Sequence, residues 1–387
     1  MLLLDLGCSH MKKIFLGALA FLLVAAGGVY LSWDAILQRV VKASLLNITT
    51  RFQTGMLDDG ALHVWFCGTG SPQVERDRAQ SCTAILAGGS FLIFDAGSGS
   101  GLKADLGNLP LGSLDAVFFT HLHSDHIVDL PVFMNHSWRY GRQKPLSVIG
   151  PTGTSVVVDG FNRALGPDVS YRSQNEVPST SREPAQSSPV RTSPADRTLK
   201  AYVETAFAIG YDAAVEGKNR TLVYETPAGL KVYAFLVEHE PVKPAFGYRI
   251  EYKGKVVVIS GDTRKTENIA IHAKGADYLI HEAYNKDIVN RIISFQSEVP
   301  DTPFTRQVFR IAQLTQHYHT TPVEAAELAE QAGVKTLVFS HVIPPLGSGP
   351  QQMILRGLFL KGVDRAFKGE VMIAQDGMHL TLPVDGK

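Results

Sequence analysis

The chain is poor in cysteine, has little tryptophan and carries no net charge. Its 387 residues hold three cysteines, so at most one intrachain disulfide can form. Cys67 and Cys82 lie in or beside the first predicted strands, either as that disulfide or as two small buried apolar side chains. Cys8, in "LDLGC", follows no basic and apolar segment, which argues against a lipoprotein. Basic and acidic residues both number 37, which leaves no bulk electrostatic reason to expect nucleic acid as a partner. No short-period repeat is present, which excludes a repeat architecture. A soft prior of about 150 residues per domain permits one large domain or two smaller ones.

One long apolar run stands out. In "MLLLDLGCSHMKKIFLGALAFLLVAAGGVYLSW", Lys12 and Lys13 precede the stretch from Ile14 to Trp33. About 20 apolar residues can span a bilayer, so the expectation is an N-terminal membrane anchor, or a signal peptide cut after Val24, Ala25 and Ala26. The lysine pair suggests Met11 as the true start, with the body outside the cytosol. The expected organisation is a signal peptide or anchor over residues 1–33, a linker over 34–61 and a hydrolase domain over 62–387. Its expected location is periplasmic or otherwise extracytoplasmic, secreted or anchored to the inner membrane, with membrane contact through the uncleaved segment.

Short strand patterns closed by glycine, proline or polar turns occur at "HVWFCGTG", "SCTAILAGG", "FLIFDAG", "DAVFFTH" and "LSVIGP". A helical segment near Thr154–Leu165 follows, then a stretch over 170–200 rich in serine, proline and charge, expected as a flexible insertion. Strand patterns return in "LKVYAFLVEH", "FGYRIEYKGKVVVISGDT" and "DYLIHEAY". The helix pattern "TPVEAAELAEQAG" leads to "TLVFSH", and "GEVMIAQDGMHLTLP" reads as a closing hairpin. Two strand-rich halves, each followed by helices, predict an α+β fold: an αββα sandwich of two mixed sheets flanked by helices.

The stretch "FFTHLHSDHIVDLP" carries the chemistry. Alternate side chains of a strand share a face, so His121 and His123 can address one ion, and Asp125 and His126 follow where the chain turns into a helix. His239, Asp262 and His341 each end another apolar run, where a rigid strand holds a side chain whose tip stays accessible. Together these residues suffice for two adjacent metals, with Asp262 as the bridge. Imidazole with carboxylate suits two zinc ions, iron or manganese being competitors, better than calcium or magnesium. "GPTGT", Gly150 to Thr154, offers amides for an anion or is simply a tight turn. His136, Trp138 and Tyr140 could line a cleft or pack in the core.

The motifs "CGTGSP", "FDAGSG", "THLHSDH", "EHEPVKPAFGYRI", "SGDT", "HEA", "HTT" and "SHV" resemble, as a set, those of the metallo-β-lactamase superfamily. The likeness is to its ribonuclease Z-like branch, which also contains arylsulfatase-like enzymes, and covers roughly residues 62–382. The resemblance implies one metal held by His121, His123 and His239, a second by Asp125, His126 and His341, Asp262 between them, and a bridging hydroxide as nucleophile. It implies Asp125 as the group that orients that hydroxide or takes its proton, His319 as the group assisting the leaving oxygen, and Glu282 as the partner of His319. His317 is a rival for His319, and His281 is read as structural. A homodimer is also implied.

Export and zero charge point to a small-molecule ester substrate, an aryl or alkyl sulfate, and to no nucleic acid. After "SHV" the chain runs "IPPLGSG", where ribonuclease Z proteins continue with serine-arginine-tyrosine. The polar stretch carries Arg172, Arg182, Arg191, Arg197 and Lys200 but lacks a glycine-proline motif. The alternatives are a phosphodiesterase or ribonuclease Z-like nuclease, a lactonase or β-lactamase-like hydrolase, and a membrane-tethered metal-binding protein without activity.

Overall fold

The structure is a computed structural model that describes residues 4–175, 200, 202–347 and 349–384. Most of the expected flexible insertion, with Arg182, Arg191 and Arg197, lies outside the described residues. Its first six positions instead close the helix Thr154–Asn175, where Arg172 pairs with Asp168 at 2.9 Å.

The chain divides into two compact units, Met1–Phe52 and Gln53–Lys387. The first is built on one 47-residue helix, Leu4–Thr50, so the expected linker is helical as far as Thr50. From Val29 to Thr50 there is neither proline nor glycine to stop it. The expected membrane anchor does not hold, and the extracytoplasmic location loses that support: among the described residues no helix is long and apolar enough to cross a membrane. The helix runs well past the apolar stretch and carries Lys12, Lys13, Asp34, Arg39 and Lys42 along its length.

The second unit is the expected αββα sandwich. In the first sheet lie β1 (Leu62–Gly68), β2 (Cys82–Ala87), β3 (Ser90–Phe94), β4 (Leu114–Phe118), β5 (Leu146–Gly150) and β6 (Ala208–Asp212). In the second lie β7 (Arg220–Glu225), β8 (Lys231–His239), β9 (Val242–Tyr252), β10 (Lys255–Ile259), β11 (Tyr278–Tyr284), β12 (Thr336–Ile343) and β13 (Glu370–Ile373). A last strand, β14 (His379–Leu382), returns to the first sheet beside β1, giving orders β14-β1-β2-β3-β4-β5-β6 and β13-β12-β11-β10-β9-β8-β7. Both sheets are mixed: β3 to β6 and β10 to β13 run parallel, and the remaining neighbours antiparallel.

Period-two alternation sorts the side chains. Leu62, Val64 and Phe66 of β1 face the second sheet, while Trp65 and Cys67 turn toward the outer helices. Between the sheets Phe94 stacks on Phe118 at 4.8 Å, and Tyr248 of β9 meets both rings edge-on. Each such buried side chain contributes roughly 1.5–3 kcal/mol relative to exposure. Cys67 and Cys82 form a disulfide between adjacent strands, their α-carbons 5.0 Å apart.

This core also sets the position of the site. Tyr248 is fully buried, and its hydroxyl donates to the Phe119 carbonyl at 2.7 Å, two residues before His121. Gly261, next to Asp262, has φ +61, and a β-carbon there would lie 2.6 Å from the Phe246 oxygen. Only glycine permits that approach. Replacing Tyr248 by phenylalanine strands the Phe119 carbonyl, and the expected loss of stability is about 1–3 kcal/mol in chemical denaturation. An unchanged unfolding midpoint would show that this hydrogen bond does not brace the chain before the site.

Candidate metal centre

The sandwich brings all the expected ligands together at one end. His121 and His123 follow β4, and His123 precedes the short helix Ser124–Ile127 that carries Asp125 and His126. His239 ends β8, Asp262 follows β10 and His341 lies near the end of β12. Two ligands sit at irregularities in their ladders. On β8 the register shifts between Val237 and His239. On β12 Ser340 and Val342 pair with successive residues of β11, so His341 is the extra residue of a bulge, with φ +48. Bulges re-aim a side chain that regular alternation would direct elsewhere.

Four overlapping groups of donor atoms result, one of them joining His239, Asp262 and His319, and two flank Asp262. In the first, His121 Nε2 lies 2.9 Å from His123 Nδ1, and His239 Nε2 lies 3.4 Å from the same atom. In the second, Asp125 Oδ2 lies 3.4 Å from His126 Nε2 and 3.2 Å from His341 Nε2. Asp262 Oδ2 stands between them, 4.0 Å from the Nε2 atoms of His121 and His239 and 3.5 Å from those of His126 and His341. The ligand side chains are buried except that of His123, which is exposed. The centre therefore opens on the His123 side.

These donors fit metal ions. His126 Nε2 is buried without a hydrogen-bond partner while two carboxylate oxygens surround it. Nitrogens and oxygens that converge in this way, instead of pairing off, form a cluster suited to binding metal ions. Burial holds His121 well below the usual imidazole range and pushes His239 down to about 4, despite Asp262. Both are thus neutral at pH 7, the form a metal needs. Burial also opposes charge on Asp125 and Asp262, yet the surrounding histidines hold both carboxyls well below their usual range.

Around this set lies an outer layer that sequence reasoning left without roles. The buried Asp95, at the end of the "FDAG" strand, reaches His126 Nδ1 with Oδ2 at 2.8 Å and accepts from the Thr120 amide with Oδ1 at 2.8 Å. It thus turns His126 Nε2 toward the cluster. Its signal was an aspartate ending an apolar run, the same signal that singled out Asp262. The Tyr318 carbonyl lies 3.1 Å from His239 Nδ1, a backbone contact that no motif reveals.

His319 is buried beside the cluster, its ring 5.3 Å from that of His239, with Glu282 Oε1 3.2 Å from its Nδ1. The rival His317 is exposed on the helix Pro303–Tyr318. His281 is buried with Nδ1 2.6 Å from the Glu282 carbonyl. The amides after Gly150 are not free: those of Gly153 and Ser155 donate to Asp212. Trp138 does not line the site but packs with Val169 and Ala206, its indole donating to the Tyr202 carbonyl. A cavity of about 840 Å³ bordered by Lys218, Leu236, Lys243 and Asn268 includes none of the candidate ligands in its lining.

Residues 92–342 match the family model described as the beta-lactamase superfamily domain. The chain belongs to the metallo-β-lactamase superfamily and is a metal-dependent hydrolase. It is similar to the Ribonuclease Z of Mycobacterium bovis (strain BCG / Pasteur 1173P2), 32% identical over 295 residues that cover 75% of this chain and 89% of that relative. The Ribonuclease Z of Mycobacterium tuberculosis (strain ATCC 25618 / H37Rv) is 31% identical over 295 residues, with the same 75% and 89% coverage. Among solved structures, human tRNase Z, short form (ELAC1), superposes with a TM-score of 0.54 at 21% identity, covering 83% of this chain and 99% of that one. The metallo-beta-lactamase fold protein YhfI of Bacillus subtilis gives 0.52 at 19%, again covering 83% and 99%. These two likenesses show the fold.

The relatives overturn the expectation that nucleic acid plays no part, since their name denotes cleavage of RNA. A formal charge of +0 sums the whole chain and does not describe how charge is distributed over its surface. Asp95→Asn keeps a side chain that tolerates the observed φ of +59 while removing the carboxylate behind His126. It is expected to weaken metal affinity about 10–100-fold in competition with a chelator, the fold monitored by circular dichroism. Unchanged affinity would remove Asp95 from the support of the centre.

Proposed function

We propose that this chain is a ribonuclease Z-like phosphodiesterase that hydrolyses a phosphodiester bond of RNA. The observation that carries the reading is the similarity to proteins named Ribonuclease Z, which extends over 295 residues and 89% of the relative. The sulfate-ester preference expected from the sequence finds no support among these relatives.

In this reading His121, His123 and His239 hold one zinc ion, Asp125, His126 and His341 hold a second, and Asp262 serves both. Iron and manganese suit the same donors. When bound, such ions lower the pKa of water and offset the negative charge of the phosphate. The chain's own residues do the rest. Asp125 orients the attacking oxygen and accepts its proton. As the new oxygen–phosphorus bond forms and the ester bond breaks, His319 gives a proton to the departing oxygen. Glu282, with Oε1 3.2 Å from Nδ1, is the carboxylate placed to orient the His319 ring once Nδ1 carries a proton toward it. Thr320 strengthens that hold, because its amide donates to the same Glu282 oxygen at 2.9 Å.

The test is to offer the metal-loaded protein a precursor transfer RNA with a 3′ extension, an aryl phosphodiester and an aryl sulfate in parallel. The expected result is cleavage of the RNA and of the aryl phosphodiester. Hydrolysis of the aryl sulfate alone would overturn the reading. His319→Ala is expected to lower kcat about 10²–10⁴-fold with metal content unchanged. A variant with full kcat would take the proton-donating role away from His319.

A further inference from the structure

We propose that Tyr318 is the aromatic platform that receives the planar group of the substrate next to the scissile bond. In the RNA reading proposed above, on which this inference rests, that group is a nucleobase. Tyr318 ends the helix Pro303–Tyr318, one residue before His319, and its side chain is half-buried. Its ring meets that of His239 edge-on, with centroids 5.3 Å apart, and lies 4.9 Å from that of His319. The His239 ring is in turn 5.2 Å from that of His123, the exposed ligand at which the centre opens. Tyr318 therefore lies against both His239, the neighbour of the exposed His123, and the proposed proton donor His319.

Two further features favour a planar apolar occupant over a charged one. Tyr318 continues a line of apolar side chains on its helix: Phe304, Val308, Ile311 and Leu314 are 75%, 36%, 39% and 43% exposed. The surface leading away from the metals on this side is thus apolar. The backbone of Tyr318 is also fixed, since its carbonyl is held against His239 Nδ1 at 3.1 Å. A ring mounted on a fixed backbone loses little freedom when a base stacks on it, and every base presents a π-face, so such a contact tolerates any sequence.

The experiment compares Tyr318→Ala and Tyr318→Phe with the wild type in the metal-loaded protein. One RNA substrate has a normal nucleotide next to the cleaved bond, and a second is abasic there. Metal content is measured on each sample. Loss of one base–aromatic stack is expected to raise KM for the normal RNA on the order of tenfold in Tyr318→Ala, with kcat nearly kept. The Phe variant should behave as wild type, and the abasic RNA should not distinguish the three proteins. Equal losses on both RNAs, or loss of metal from Tyr318→Ala, would overturn the proposal and leave Tyr318 as a brace for His239. Should the wild type cleave neither RNA, the RNA reading fails by itself. The platform is then read from aryl against alkyl phosphodiesters, where an aryl-specific rise in KM sustains it and its absence ends it.

Discussion

Asp262 is a carboxylate buried among imidazoles that come from both halves of the sandwich, and the arrangement around it is the constraint the rest of the structure serves. A buried anion is costly unless opposite charge or well-placed donors surround it. Here Asp125 and Asp95 add two more buried carboxylates within the same region. Such a concentration of acid and imidazole is stable only where donors and cations balance it. The sandwich supplies the fixed positions: strand ends of both sheets meet at one place, and breaks in the ladders, a register shift at His239 and a bulge at His341, accompany the turn of both side chains toward it. Because each group of donors flanking Asp262 draws on both sheets, the geometry offered to a metal ion depends on how the two sheets pack.

How much of this the sequence discloses depends on the range of the interaction. Strands announced themselves because side chains alternate over two residues, and the candidate ligands stood out because each ends or follows an apolar run. The pairing of Cys67 with Cys82 became definite only once β1 and β2 were neighbours. The free amides once considered after Gly150 are occupied by Asp212, a partner more than fifty residues away that no local pattern announces. Trp138 was a candidate for the wall of a cleft, with core packing favoured, and the packing of Val169 and Ala206 decides for the core. At the N-terminus, residues 34–50 contain no helix breaker, so a segment expected to link two units is helical.

Composition was the least reliable guide to function. A chain with equal numbers of acids and bases can still bind RNA, because binding depends on where charges stand and on contacts that carry no charge. A small part of the acidic count lies inside the protein: Asp95, Asp125, Asp262 and Glu282 are buried around the centre and contribute little to the field a substrate meets at a distance. The formal sum therefore overstates the negative character of the surface.

The helix Pro303–Tyr318 joins these considerations. Its C-terminal end supplies the carbonyl that orients His239 and the turn that brings His319 beside Glu282. The next helix, Pro322–Ala332, begins at once with a capping box between Thr321 and Glu324, so little slack remains between them. A displacement of the first helix would move a metal ligand's hydrogen-bond partner, the adjacent aromatic ring and the proposed proton donor together. The support of His239, the proposed substrate contact and the proposed proton delivery thus share one short segment, and a change in any of them is transmitted to the others through the backbone between Tyr318 and Thr321.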